Sequence, residues 1–205
     1  MQSAEIEVKF PVADSTDLQS HLPPLGFQLE TPRTFEHNTL YDTLARDLRE
    51  RRQILRLRKY GDLCILTHKR TPENADDSRY KTRIETESLI GDCETMAEIF
   101  RQLGYLPAFT YEKFRTEWSQ ALPNASVPPS GLQGHLVIDE TPIGVWAELE
   151  GAPDWIDRTL ENLHIDRSVC LTDSYGTLFN KWKQSSGSSA ANLTFEEIAP
   201  ALATK

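Results

Sequence analysis

A chain of 205 residues with 39% hydrophobic side chains can build one generous domain, or one domain and a tail. Its formal net charge of -9 argues against a general nucleic-acid binder, which needs a basic surface to displace counterions. No apolar run nears the roughly 18 residues of a membrane span, so no membrane partner is expected.

Strand patterning begins almost at once, so neither a signal nor a transit peptide is expected. Cys64, Cys93 and Cys170 are odd in number, far apart and without CxxC spacing. That spacing predicts neither a disulfide framework nor a zinc site, and points to a reducing cytoplasm.

In chain order, residues 5–10 alternate: Glu5, Glu7 and Lys9 share one strand face, and Ile6, Val8 and Phe10 the other. Asp14 or Ser15 can cap a short helix that Pro23 and Pro24 stop. Residues 27–41 read as one long strand, or two broken near Pro32, and 45–51 can hold a helical turn. Residues 53–60 and 63–69 form a hairpin about Gly61-Asp62, with Arg56 and Arg58 on one face of its first arm. After a polar loop at 71–78, residues 79–87 alternate again, placing Lys81, Arg83, Glu85 and Glu87 together.

Residues 93–103 carry Met96, Ile99, Phe100 and Leu103 at helical spacing before Gly104. A strand over 109–120 puts Lys113 and Arg115 on one parity, and 121–134 is a Pro- and Gly-rich loop. Residues 136–140 and 145–150 form a second hairpin, with Asp139 in one arm and Glu148 and Glu150 on one face of the other. Helices follow over 153–163 and 172–182. The domain is expected to end at 182, with 183–205 a Ser/Gly/Ala-rich linker and a flexible tail.

The charged pairs all lie two residues apart, so each set points one way from its strand. On an open sheet packed on helices such a face is simply wet. About eight antiparallel strands tend to close, because closure removes exposed edges. The expected fold is therefore α+β, a closed eight-stranded antiparallel barrel with flanking helices and charges inside. Unpaired buried charge is costly, and a polyphosphate with a divalent metal satisfies both signs. Arg and Lys grip phosphate oxygens, while Glu and Asp offer hard oxygens to Mg²⁺ or Mn²⁺.

The order of motifs is distinctive: Glu5-x-Glu7-x-Lys9, Leu55-Arg56-Leu57-Arg58, Lys69, and Lys81-Thr82-Arg83-Ile84-Glu85-Thr86-Glu87. Glu112-Lys113-Phe114-Arg115, Ile138-Asp139-Glu140, Glu148-Leu149-Glu150-Gly151 and Ser174-Tyr175 follow. This order resembles the CYTH superfamily, the triphosphate tunnel metalloenzymes, over about residues 3–180. That group includes thiamine triphosphatases, inorganic tripolyphosphatases and class IV adenylyl cyclases.

The resemblance implies metal ligation by Glu5, Glu7, Glu148 and Glu150, with Asp139 a further candidate. It implies triphosphate binding by Lys9, Arg56, Arg58, Lys69 and Arg115, with Lys81, Arg83 and Lys113 in support. Tyr41 stands where a tyrosine can help position Lys9, or can simply pack. The implied reaction is Mg²⁺- or Mn²⁺-dependent hydrolysis of a small triphosphate, with Glu7, Lys9 and Tyr41 as catalytic candidates. Cyclisation of ATP, or binding without turnover, are the alternatives, in a monomer or a homodimer.

Overall fold

The computed structural model describes residues 2–73, 79–121 and 133–202. Residues 74–78 and 122–132 of the predicted loops at 71–78 and 121–134, and residues 203–205 of the predicted tail, lie outside the described residues.

Eight strands form: β1 (Gln2–Val12), β2 (Phe27–Asp42), β3 (Gln53–Tyr60), β4 (Leu63–Arg70), β5 (Lys81–Ile90), β6 (Leu106–Ala121), β7 (Gln133–Thr141) and β8 (Gly144–Glu150). They close in the order β1-β5-β4-β3-β2-β6-β7-β8, every neighbour antiparallel. The expected closed barrel is the observed one. β2 is a single strand; its register shifts between Leu29 and Thr34 absorb the bend around Pro32, which cannot donate to a ladder.

Among the described residues six α-helices flank the barrel: α1 (Ser15–His21), α2 (Asp47–Glu50), α3 (Cys93–Gln102), α4 (Pro153–Asn162), α5 (Tyr175–Ser186) and α6 (Phe195–Leu202). Their placement follows from strand parity. Val8, Phe10, Leu136, Ile138 and Leu149 point outward and bury against α1 and α4, with Trp155 and Ile156 at the centre. A Cβ on Gly134 would overlap the Trp155 indole, so that close approach requires glycine. Leu57 and Tyr41 bury under Phe100 of α3 in a separate cluster. Among the described residues no helix is long and apolar enough to cross a membrane.

Two expectations fail here. Cys64 of β4 and Cys93, the first residue of α3, form a disulfide with their Cα atoms 5.6 Å apart. The pairing joins positions 29 residues apart that the β4–β5 ladder brings together, since Cys64 lies opposite Ile90, three residues before Cys93. The reducing-compartment expectation therefore loses the support it drew from cysteine spacing.

The stretch after 182 is not a free tail either. α5 runs on to Ser186, and Leu193 and Ile198 are fully buried. β6 extends past the last rung of its ladder with β7, the Phe114–Glu140 pair. Leu193 covers the exposed edge: its N–H donates to the Thr110 carbonyl at 3.0 Å, and its carbonyl accepts from Glu112 N–H at 2.9 Å. The Asn192 side chain accepts from Thr110 N–H at 2.9 Å, and Phe195 packs on Phe114 at 5.5 Å. Covering unpaired backbone groups supplies the physical reason for the docking.

Candidate active site inside the barrel

Cross-strand register decides which side chains meet. Glu7 lies opposite Lys81 on one side and Glu150 on the other, and Lys9 opposite Glu148. Arg56 lies opposite Thr67, Lys69 opposite Glu85, and Arg115 opposite Asp139. Directly opposed residues share a face, so one continuous charged lining results. It surrounds a cavity of about 500 Å³ whose walls include Glu5, Glu7, Lys9, Arg56, Arg58, Lys69, Lys81, Lys113, Arg115, Glu148 and Glu150.

One part of this lining is backed by a closed ion-pair network. Asp139 is fully buried and takes a bidentate Arg115 guanidinium, Nε to Oδ1 at 2.7 Å and Nη2 to Oδ2 at 2.6 Å. Lys113 donates to the same carboxylate at 2.8 Å, and the Tyr175 hydroxyl donates to it at 2.5 Å. Burial opposes ionisation of Asp139, yet Arg115 and Lys113 hold its pKa below the ordinary value. Glu36, also wholly buried, pairs with Arg58 at 2.8 Å, Lys113 at 3.4 Å and Arg115 at 3.6 Å. Against its own burial, Lys113 and Arg58 hold Glu36 far below the carboxylate range. Glu148 pairs with Lys9 and, at 3.0 Å, with Arg115. Its pKa is likewise held well down by those cations against burial. Tyr175 sits over two of the bases, its ring centroid 3.9 Å from Lys9 Nζ and 4.9 Å from Lys113 Nζ. Cation–π contact of this kind fixes an ammonium in place.

Arg56 is fixed differently. Its Nη1 donates to the Tyr111 hydroxyl at 3.2 Å, and its Nη2 to Thr67 Oγ1 at 3.0 Å and to Glu87 at 3.3 Å. Despite burial, Tyr111 and Glu36 keep it firmly protonated.

The rest of the lining is rich in carboxylates. Lys69 pairs with Glu5 at 2.7 Å and Glu85 at 3.0 Å, and Lys81 with Glu7 at 2.5 Å. Glu150 makes no ion pair or side-chain hydrogen bond among the described residues. Burial, then the neighbouring Glu5 and Glu7, push its pKa up to about 8. Burial and Glu5 likewise raise Glu85 to about 7, with Lys69 opposing. Carboxylates that burial and like charge force toward neutrality with no direct cation, as at Glu150, are donors short of positive charge. Their hard oxygens fit Mg²⁺ or Mn²⁺. In this conformation, among the described residues, no three acidic, histidine or cysteine groups converge closely enough to enclose an ion. Lys69 and Lys81 hold Glu5 and Glu7 in separate pairs instead.

Three sequence-based candidates stand elsewhere. Tyr41 lies opposite Leu55 in the β2–β3 ladder and therefore faces outward, its ring edge-on to Phe100 at 5.1 Å. Tyr175 takes the place over Lys9 that was expected of Tyr41. Asp139 is occupied by two bases and a tyrosine behind the cavity wall, so it is an anchor rather than an accessible metal ligand. Arg83 shares the inward parity but donates to Thr71 Oγ1 at 2.7 Å and does not line the cavity.

Sequence reasoning missed Glu36, Thr67, Tyr111 and Glu117 as parts of the interior. For Glu117 and Tyr111 the signal was present, since both continue the parity of Lys113 and Arg115.

A closed tunnel of eight antiparallel strands lined with opposed bases and carboxylates is the class of structure this chain forms. The sequence profile of the CYTH domain matches residues 3–150, and the chain belongs to the CYTH family. A proposed adenylate cyclase of Methanocaldococcus jannaschii is 28% identical over 162 residues, covering 78% of this chain and 85% of that one. A proposed adenylate cyclase of Vibrio parahaemolyticus shares the fold with TM-score 0.66 at 17% identity, over 86% of this chain and 97% of its own. A proposed adenylyl cyclase of Hippeastrum with a dominant triphosphatase activity superposes with TM-score 0.58 at 20% identity, over 89% and 96% of the two chains.

Proposed function

We propose that the protein is a divalent-metal-dependent triphosphatase acting on a small triphosphate inside the tunnel. The observation that carries this reading is the division of the lining. A paired basic framework stands beside a cluster of carboxylates in which Glu150 has no direct cationic partner. Glu5, Glu7 and Glu150 would hold Mg²⁺ or Mn²⁺, with Glu148 next along the same strand face. When bound, such an ion supplies Lewis-acid charge to phosphate oxygens and lowers the pKa of a bound water.

The chain's own residues do the rest. Arg56, Arg58, Lys69 and Arg115 grip the phosphate oxygens, and Lys113 and Lys81 hold the counter-carboxylates in register. Lys9 Nζ, fixed between Glu148 and the Tyr175 ring, is placed to donate to an oxygen that gains charge as the bridging P–O bond breaks. Arg56 and Arg115 are immobilised before any substrate arrives, so little reorganisation opposes the reaction.

The likeness to proposed adenylate cyclases supports a second reading, in which a ribose hydroxyl attacks the α-phosphorus and releases pyrophosphate. One experiment separates the two. Tripolyphosphate, thiamine triphosphate and ATP are each incubated with Mg²⁺ or Mn²⁺ and the products resolved by mass spectrometry. Orthophosphate with no cyclic nucleotide is the expected result; cyclic AMP with pyrophosphate would replace hydrolysis by cyclisation.

A further inference from the structure

The cavity wall is not charged all round. Leu40 of β2, Ile54 of β3 and Phe109 of β6 also line it. They are contiguous: Leu40 lies directly opposite Arg56 in one ladder and Phe109 in the other. Ile54 stands two residues before Arg56 on the same face. The shelf therefore begins where the basic grip ends. None of the three is fully buried, so each presents apolar surface to the cavity.

The shelf is also rigid. Phe109 belongs to a column of near-parallel rings, 5.9 Å from Tyr111 on one side and 5.6 Å from Phe179 on the other. Leu193 braces the β6 backbone on either side of Tyr111, two residues along from Phe109.

An inorganic tripolyphosphate is a hydrated anion on every face and gains nothing from such a wall. A triphosphate ester with a flat, largely apolar group uses both surfaces, and about 500 Å³ is within the usual range of small-molecule pockets. We infer that the ligand is an organic triphosphate whose heteroaromatic ring lies against Leu40, Ile54 and Phe109 while its phosphates run from Arg56 into the charged lining. This inference rests on the triphosphate reading above and narrows it from any triphosphate to an ester.

The test is equilibrium binding in the presence of Mg²⁺. The probes are β,γ-imido-ATP, the β,γ-imido analogue of thiamine triphosphate and inorganic diimidotriphosphate, measured on the full chain and on Ile54→Asn. At least one organic ligand is expected to bind ~10-fold more tightly than the inorganic one, since apolar contacts of this size discriminate by that order. Ile54→Asn should weaken that ligand ~10-fold and leave the inorganic one within about two-fold. Ile54→Thr, a smaller perturbation of the strand, should move the same ratio in the same direction. Equal or tighter binding of the inorganic ligand to the wild type would overturn the shelf while leaving the triphosphate site intact. So would equal effects of both variants on both kinds of ligand. Binding of none of the three would remove the triphosphate reading itself, and the shelf with it.

Discussion

Two parts of one lining behave in opposite ways. Around Asp139 and Glu36, each carboxylate is met by two or three bases and its pKa is driven down. Around Glu150 and Glu85, burial and like charge drive the pKa up, to about 8 and about 7. The two groups sit on the same barrel, and Glu148 and Glu150 are only two residues apart on one strand. At Glu150 the difference is the lack of a direct cation; Glu85 does meet Lys69 at 3.0 Å and Arg56 at 3.7 Å, but must share them with Glu5 and Glu87. The first region is a finished framework that positions bases; the second is an acidic wall that gains most from an added positive charge.

Breaking the framework should have the largest effect on folding. Asp139→Ala removes the nearer of the two anions that Lys113 and Arg115 share and frees the Tyr175 hydroxyl. Removing one partner from a buried ion pair costs about 3–5 kcal/mol, read as a lower urea midpoint at an unchanged slope. The edge cover comes next. Leu193→Ala opens a cavity at a fully buried position and should cost about 2–4 kcal/mol by the same measurement.

Acid should dismantle the same framework. Glu36, Asp139 and Glu148 have depressed pKa values in the folded chain. A depressed carboxylate contributes stability that is fully present above its unfolded pKa and is lost as pH falls toward its folded one. As pH falls, stability is therefore expected first to rise while Glu150 and Glu85 protonate, and then to fall below about pH 4 as Glu36, Asp139 and Glu148 lose their charge, followed by thermal melts across pH. A melt profile flat through that range would mean that these pairs contribute nothing.

The acidic wall predicts a change of the opposite sign. Glu150→Gln removes a carboxyl that burial and like charge push up to about 8, a cost to the fold at neutral pH, so without metal the variant should be at least as stable as the wild type. The same variant should lose most of the thermal stabilisation that Mn²⁺ gives the wild type. A large loss without metal would place Glu150 in the framework instead.

Much of this contrast was legible in the chain. Period-two alternation placed Glu5, Glu7, Lys9, Arg56, Arg58, Lys113 and Arg115 on inward faces, because a barrel with an apolar exterior leaves them no other side. Pairing was not legible. Whether Asp139 meets a metal or Arg115 depends on cross-strand register, and register is set by turns and bulges far from the residue. Tyr41 failed for the same reason, one position of parity separating tunnel from core. The Cys64–Cys93 pair needed the β4–β5 register, which sets Cys64 opposite Ile90, before its partners were neighbours.

The tail was misread because Ser, Gly and Ala dominate its composition while two residues, Leu193 and Ile198, carry the docking. Thr194-x-x-Glu197 was the available warning, a spacing typical of a helix start. Glu197 uses its carboxylate on the Ala191 and Asn192 N–H groups, at 2.7 and 3.0 Å, tightening the turn into α6.

The most direct test of the central claim is phosphate release from a triphosphate with Mg²⁺ or Mn²⁺, measured for the wild type, Glu7→Gln and Arg56→Ala. Glu7 belongs to the acidic wall and Arg56 to the immobilised bases, so the two variants probe both kinds of lining. Each is expected to lower kcat/KM by ~100-fold or more, the scale for removing one preorganised electrostatic contact to a reacting phosphate. Wild-type rates in both folded variants would contradict the account and return the charged lining to a purely structural role.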